Sequence, residues 1–88
     1  RRMGKGTHKM ITYDLEYANE KEVKYSYYPW HDTDDKGYIV VSRSGVILEK
    51  KLAKVDEEYP DYFNELIWPA CKNAMSDSPE KHGCKCWM

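Results

Sequence analysis

The sequence predicts an α+β fold: an antiparallel meander of about four strands, one helix packed on one face, and a short C-terminal fifth strand. Three observations lead to this class. Four early segments alternate apolar and polar residues with the period of two that is typical of strands. One later segment has apolar residues three and four positions apart, as in an amphipathic helix. A chain of 88 residues, 41% of them hydrophobic, is long enough for one core and too short for two.

The first two strands are predicted to form a hairpin. Residues 10 to 17, MITYDLEY, put Ile11, Tyr13, Leu15 and Tyr17 on one side. The next four residues, ANEK, have turn composition, and EVKYSYYP then continues the alternation as far as a proline. Two alternating runs joined by a short polar turn favour antiparallel neighbours.

The third and fourth strands follow a polar loop. The third, GYIVVSRSG, has a continuous apolar centre, which indicates burial on both faces or a central place in the sheet. The fourth, VILEKKLA, places Val46, Leu48 and Leu52 on one side and Glu49 and Lys51 on the other. Both segments are rich in β-branched and other apolar residues, as strands are.

The helix is predicted from Tyr59 onward, where the spacing of apolar residues changes. Pro60 suits the first turn, because its missing N–H is not needed there. Pro69 predicts a kink at Trp68, because a proline inside a helix removes one backbone hydrogen bond. The apolar positions of this segment are Tyr59, Phe63, Leu66, Ile67, Ala70, Cys71, Ala74 and Met75.

The last five residues, CKCWM, are predicted to be the fifth strand. In an extended strand Cys84, Cys86 and Met88 project to one face and Lys85 and Trp87 to the other. Free cysteine behaves as a small hydrophobic residue and is often buried. We therefore expect the two cysteines to face inward and Trp87 to face outward.

Charge divides the chain in two. Residues 1–9 carry four bases and no acid, and we interpret them as a basic leader that is disordered or left over from expression. Residues 10–88 form the single α+β domain and hold ten bases against fifteen acids. No apolar run approaches the roughly 20 residues of a membrane span. An odd number of cysteines, three, is typical of a reducing compartment, so we expect a cytoplasmic protein without a membrane partner.

Several short segments carry a resemblance. They are YDL near the start, KYSYYP, and GYIVV followed by SGVI. A run of acidic residues before the predicted helix that contains Tyr62, and a glycine followed by a tryptophan near the end, complete the set. Over residues 10–88 the chain resembles a group of small uncharacterised single-domain proteins of Gram-positive bacteria and their phages. The resemblance implies a compact α+β fold and leaves the function open. The group would end in apolar or aromatic residues, where this chain has Cys84, Cys86 and Met88.

Four residues have the chemistry of metal ligands: Cys71, His82, Cys84 and Cys86. They would formally make a zinc set of three cysteines and one histidine. The spacing argues against zinc, because zinc-binding cysteines usually come in pairs two to four residues apart and only Lys85 separates Cys84 from Cys86. We predict no metal and no other cofactor. The alternative is a metal- or thiol-dependent protein that uses these four residues.

Two other kinds of site are disfavoured. Asp32, Asp34 and Gly37 match positions 1, 3 and 6 of a calcium loop, but Lys36 and Arg43 stand where two ligands belong. No glycine-rich phosphate loop occurs, and no third group is evident in the sequence to orient a Cys–His pair. We therefore expect a protein that is not an enzyme.

Exposed aromatic and acidic residues lead to the functional hypothesis. Tryptophan and tyrosine anchor many protein interfaces, and an acidic surface suits a basic protein partner. We expect a non-enzymatic protein-interaction module, of the kind found as phage or mobile-element accessory or inhibitor proteins. A homodimer through an edge strand is a further option, and the acidic domain disfavours nucleic acid. The expected contact residues are Trp30, Asp32, Asp34, Asp35, Trp68 and Trp87.

Overall fold

The computed structural model describes residues 9–29, 34–58 and 60–87, and it describes Trp87 by its backbone. All six predicted elements are present in this part of the chain. A 3₁₀ turn, Lys54–Asp56, precedes the helix. The strands and the helix are β1 (Lys9–Ala18), β2 (Glu22–Pro29), β3 (Gly37–Ser42), β4 (Ile47–Lys51), α1 (Asp61–Ala74) and β5 (His82–Trp87).

The five strands form one antiparallel sheet in the order β4-β3-β2-β1-β5, and α1 packs on one face of it. This confirms the predicted fold class. The first four strands lie in chain order, and β5 pairs with β1 at the opposite edge from β4. The sheet thus has one face covered by α1, the covered face, and one face on which residues 9–29, 34–58 and 60–87 place no helix, the open face.

The core lies between the covered face and α1. Aromatic rings make edge-on contacts within it: Tyr13 with Tyr25, ring centroids 5.7 Å apart, and Tyr27 with Phe63, 5.8 Å apart. Burial of such side chains is the main favourable contribution to folding. The buried cluster is Ile11, Tyr13, Val23, Tyr25, Tyr27, Ile39, Val41, Ala53, Phe63, Leu66, Ala70 and Ala74.

Asp56 fixes the start of α1. Its carboxylate is fully buried and accepts the backbone N–H groups of Tyr62 and Phe63 at 3.0 and 2.9 Å. The Tyr27 hydroxyl, from the middle of the sheet, donates to the same carboxylate at 2.5 Å. Burial, and then this hydrogen bond, raise the pKa of Tyr27. One side chain therefore caps the helix and ties it to β2.

Two bulges interrupt the predicted alternation. One, between Leu15 and Tyr17 in β1, pairs Tyr17 with Lys24 and leaves the tyrosine 40% exposed, whereas the sequence pattern placed it with Ile11. The other lies at Leu48, because Val40 pairs with Glu49 and Val41 with Ile47. A bulge adds one residue to one strand and so reverses the sides beyond it. Strand β1 also begins at Lys9, one residue inside the segment interpreted as a leader.

Candidate functional site

The acidic loop before β3 has a structural role where the structure describes it. The Asp35 carboxylate accepts the backbone N–H groups of Lys54 and Val55, at 2.6 and 3.2 Å, so it caps the 3₁₀ turn. Asp34 is exposed. Trp30 and Asp32 lie outside the described residues. Asp35 is therefore occupied within the fold, and the predicted contact surface around it stays a prediction.

Of the three predicted tryptophans, Trp68 is the one whose side chain is described. It is 65% exposed on α1, with Lys72 Nζ 5.0 Å from its ring centroid and the exposed Met75 one further turn along. Cys71 lies between them, half-buried, and burial raises the pKa of its thiol. Trp87 pairs with Lys9 through its backbone at the end of β5. Trp68 therefore remains a contact candidate on geometric grounds.

The prediction that Cys84 and Cys86 face inward is wrong, because both are exposed. In β5, Cys84 pairs with Thr12 and Cys86 with Met10, while Lys85 pairs with the buried Ile11. Paired residues share a face, so the cysteines lie on the open face and Lys85 on the covered face. An ion pair confirms this position of Lys85, because its Nζ lies 2.9 Å from Oε1 of Glu65 in α1.

The four residues of the alternative metal site are not brought together. Cys71 packs against the core on the covered face, whereas Cys84, Cys86 and His82 belong to the open face. Among the residues that the structure describes, no group of three or more His, Cys, Asp and Glu side chains is placed to hold a metal ion. The two exposed thiols of β5 are what remains of the thiol-dependent hypothesis.

His82 does have an orienting partner, which the sequence did not reveal. Its Nδ1 lies 2.5 Å from Asp14 Oδ1, and the Tyr28 hydroxyl donates to Asp14 Oδ2 at 3.1 Å. The pairing comes from the β1–β5 register, which sets Asp14 opposite His82 across 68 positions of sequence. The His82 side chain is 64% exposed on a strand surface, where water competes for every hydrogen bond. We therefore interpret this pair as an exposed polar contact, which contributes little to stability.

An apolar groove lies between β4 and α1, and we call it the β4–α1 groove. It has a volume of about 480 Å³ and is open to solvent. Strand β4 is exposed along its whole length, and it is an edge strand. Pro60, Asn64, Glu49 and Lys50 complete the groove wall. Its apolar lining residues are Ile47, Leu48, Leu52, Phe63 and Ile67.

Exposed apolar side chains continue the groove along α1. Gly45, in the turn before β4, has a backbone φ of +90° and lies against Met75, so that a Cβ added at this position would come within 3.1 Å of Met75 Sδ. That contact brings the start of β4 next to the end of the helix. Residues with large exposed fractions in this region are Val46 (57%), Leu48 (54%), Trp68 (65%) and Met75 (59%).

The sequence contained part of this signal. VILEKKLA was recognised as a strand, and Trp68 as a contact residue, but the pattern did not reveal that β4 ends the sheet. The bulge at Leu48 also cannot be deduced from alternation. Edge position depends on where the C-terminal strand pairs, and β5 pairs with β1.

Comparisons with known proteins give no match: no protein-family model, no curated protein and no solved structure is similar to this chain. The resemblance to small proteins of Gram-positive bacteria and phages accordingly stays a prediction from the quoted segments. Neither helix in the described part of the chain combines the length and apolar character that crossing a membrane requires.

Proposed function

We propose that the protein is a non-enzymatic interaction module that binds an extended segment of a partner protein along β4. Apolar side chains of that segment would occupy the β4–α1 groove. The observation that carries the proposal is the coincidence of an exposed edge strand with exposed apolar side chains, at Ile47 and Leu48, beside an apolar groove. Large contiguous apolar surfaces on a small protein are typical of interaction sites.

The chemistry of strand addition fits this arrangement. An edge strand presents backbone N–H and C=O groups that a second strand can pair with, and such pairing supplies affinity. Alternate side chains of the added strand point to the same face, so one set would reach the groove and Phe63 and Ile67 at its base. Main-chain pairing and apolar burial would thus act together.

Local charge favours an acidic residue in the bound segment. Lys50 lines the groove with its Nζ 5.5 Å from the Phe63 ring centroid. From the net charge of the domain we expected a basic partner, but Lys50 is the one cation among the described groove residues, and the one acid among them, Glu49, already accepts the Tyr38 hydroxyl. A carboxylate beside an apolar anchor would pair with it. Trp68 and Met75 would extend the contact along α1.

A second copy of the chain is a poorer occupant of this edge. Glu49 is the middle residue of Ile47–Lys51, so antiparallel pairing of two copies over the full strand would set Glu49 opposite Glu49. Like charges directly opposite each other destabilise a strand pair. The charge pattern therefore favours a different protein as partner.

Selection from a displayed library of random peptides tests the proposal. Selected peptides should contain alternating apolar residues and at least one acidic residue, and should bind the purified protein. Leu48→Gln should weaken binding about ten- to a hundredfold, because a buried leucine contributes about 1.5 to 3 kcal/mol. Val55→Gln is the matched control, since Val55 is also exposed (50%) but lies outside the groove. It should leave the affinity unchanged.

Two results would overturn the proposal. In one, the selected peptides bind equally well to the Leu48→Gln and wild-type proteins. In the other, light scattering shows a concentration-dependent dimer of the wild-type protein that Leu48→Gln abolishes, which would assign β4 to a second copy. Thermal unfolding of each variant checks that the substitutions leave the fold intact, since all the substituted side chains are exposed.

A further inference from the structure

We propose that a second site, on the open face of the sheet, binds a phosphate group. The site is a pocket of about 310 Å³ at the end of the sheet where β3 begins. We call it the lysine pocket, because Lys24, Lys36 and Lys51 all line it. It lies across the sheet from the β4–α1 groove, and the inference does not depend on the function proposed for that groove.

Three neighbouring segments each contribute one lysine to the pocket. Lys24 belongs to β2, Lys36 directly precedes β3, and Lys51 ends β4. The register places Tyr38 opposite Lys51, with the ring of Tyr38 between the strands that carry Lys24 and Lys51. Lysines far apart in sequence therefore meet because adjacent antiparallel strands present alternate residues to one face.

The pocket carries excess positive charge. Glu16 is the single acid among the lining residues that the structure describes. That carboxylate already accepts the Ser26 hydroxyl at 2.6 Å, and Lys36 Nζ lies 3.9 Å from it. Lys24 Nζ instead lies over the Tyr38 ring, 4.3 Å from its centroid. Within the described residues, Lys24 and Lys51 form no ion pair with a carboxylate.

The charge of the pocket points to a phosphate monoester. Among the described lining residues three ammonium groups stand against one carboxylate, an excess of two positive charges, and the Glu49 carboxylate beside them accepts the Tyr38 hydroxyl. A phosphate monoester carries about two negative charges at neutral pH. Lysine ammonium groups bind phosphate as point charges. The Tyr38 ring lines the same pocket and offers an aromatic surface to the group that the phosphate is attached to. A small phosphate monoester matches this charge, and the phosphodiesters of a nucleic-acid strand, with one negative charge each, are the other source of phosphate that these lysines could bind.

Titration followed by amide chemical shifts tests the inference. The probes are inorganic phosphate, adenosine monophosphate and a single-stranded oligonucleotide, each at constant ionic strength with sodium chloride as the reference salt. Phosphate and the nucleotide should shift the amides of Ser26, Gly37, Tyr38 and Lys51. Lys51→Ala should weaken binding about three- to tenfold, the size expected for one exposed charge contact.

Lys50→Ala is the matched control, because Lys50 is the next residue on β4 and faces the other side of the sheet. It removes the same charge and should leave phosphate binding unchanged while weakening peptide binding in the groove. Oligonucleotide binding that falls with Lys51→Ala would identify a nucleic-acid strand as the source of the phosphate. Oligonucleotide binding that is absent would identify a small ester.

The inference fails if phosphate and adenosine monophosphate shift no amide of the pocket beyond the sodium chloride reference. It also fails if Lys50→Ala and Lys51→Ala reduce binding equally, since the effect would then come from net charge. Because Leu48→Gln acts on the groove and Lys51→Ala on the pocket, failure at one site is distinguishable from failure at the other.

Discussion

Strands β4 and β5 are the two edges of the sheet, and their contacts with α1 differ. On the β5 side the helix reaches the strand through an ion pair, Glu65 to Lys85 at 2.9 Å, and Asp61 pairs with Lys9 of the adjoining β1 at 3.1 Å. On the β4 side a groove separates strand and helix, and Lys50 reaches only as far as the Phe63 ring. One edge is thus tied to the helix by charge, and the other is open.

The difference shows where a partner can bind. Edge strands invite pairing with other chains, and proteins usually protect them with charge, bulges or cover. β5 carries polar contacts on both of its faces, to Glu65 on one and to Asp14 on the other. β4 has a bulge and two lysines, but it also exposes Ile47 and Leu48 beside an apolar groove. An exposed apolar edge of this kind is an aggregation risk unless it has a function.

Removal of Asp56 should give the largest effect, because Asp56 caps the helix that forms one wall of the β4–α1 groove and carries Glu65 at the β5 edge. Asp56→Ala deletes the cap of α1 and leaves the Tyr27 hydroxyl and two backbone N–H groups without their acceptor. We expect a loss of about 2 to 5 kcal/mol in the free energy of unfolding, measured with urea. Asp61→Ala, an exposed acid of the first helical turn, should cost less than about 1 kcal/mol. Equal losses for the two variants would contradict the role of Asp56.

Alkaline pH should give the next largest loss of stability, because it ionises buried tyrosines whose hydroxyls link the sheet to the segments that flank α1. Burial, chiefly, raises the pKa of Tyr25 to about 12, and its hydroxyl donates to the Glu80 carbonyl oxygen at 2.6 Å. The folded state holds the neutral phenol more tightly than the unfolded state, whose tyrosine pKa is 10.0. Its contribution to stability is therefore complete below pH 10 and is lost as the pH rises from about 10 to about 12.

Urea unfolding across that pH range measures the loss. Tyr25→Phe is the matched variant, because it keeps the ring and removes the titrating hydroxyl. At neutral pH the variant should be less stable than wild type, because it lacks the hydrogen bond to Glu80. As the pH rises above 10, the variant should lose less additional stability than wild type does. An identical pH dependence in wild type and variant would show that Tyr25 does not contribute.

Most of the fold could be predicted from the sequence, and the exposed faces could not. The strands and the helix could be predicted because burial of one side of each element imposes a regular spacing of apolar residues. The prediction of which β5 side chains face the helix was wrong. The alternation in C-K-C-W fits either face of the sheet equally well, and the ion pair between Lys85 and Glu65 shows that Lys85 faces the helix. The groove and the Asp14–His82 pair were missed because both depend on which strands become neighbours. Trp68 could be predicted as a contact residue because this large aromatic residue lies outside the apolar stripe of the helix.

The ion pair at the β5 edge should have the smallest energetic effect. Glu65 and Lys85 side chains are each roughly one-third exposed, so water weakens their attraction. A double-mutant cycle with Glu65→Ala and Lys85→Ala should give a coupling energy of about 0.2 to 1 kcal/mol. A coupling energy indistinguishable from zero would mean that the helix is not held at this edge by charge, and the contrast between the two edges would then rest on β4 alone.

Hydrogen exchange with and without a selected peptide tests the central claim most directly, because it compares the two edges in one experiment. If the partner segment adds to β4, amides of Ile47–Lys51 should exchange more slowly in the complex, and amides of His82–Trp87 should keep their rates. The Leu48→Gln variant should show no such slowing at the same peptide concentration. Slowing confined to β5, or slowing on neither edge despite saturating peptide, would contradict the account.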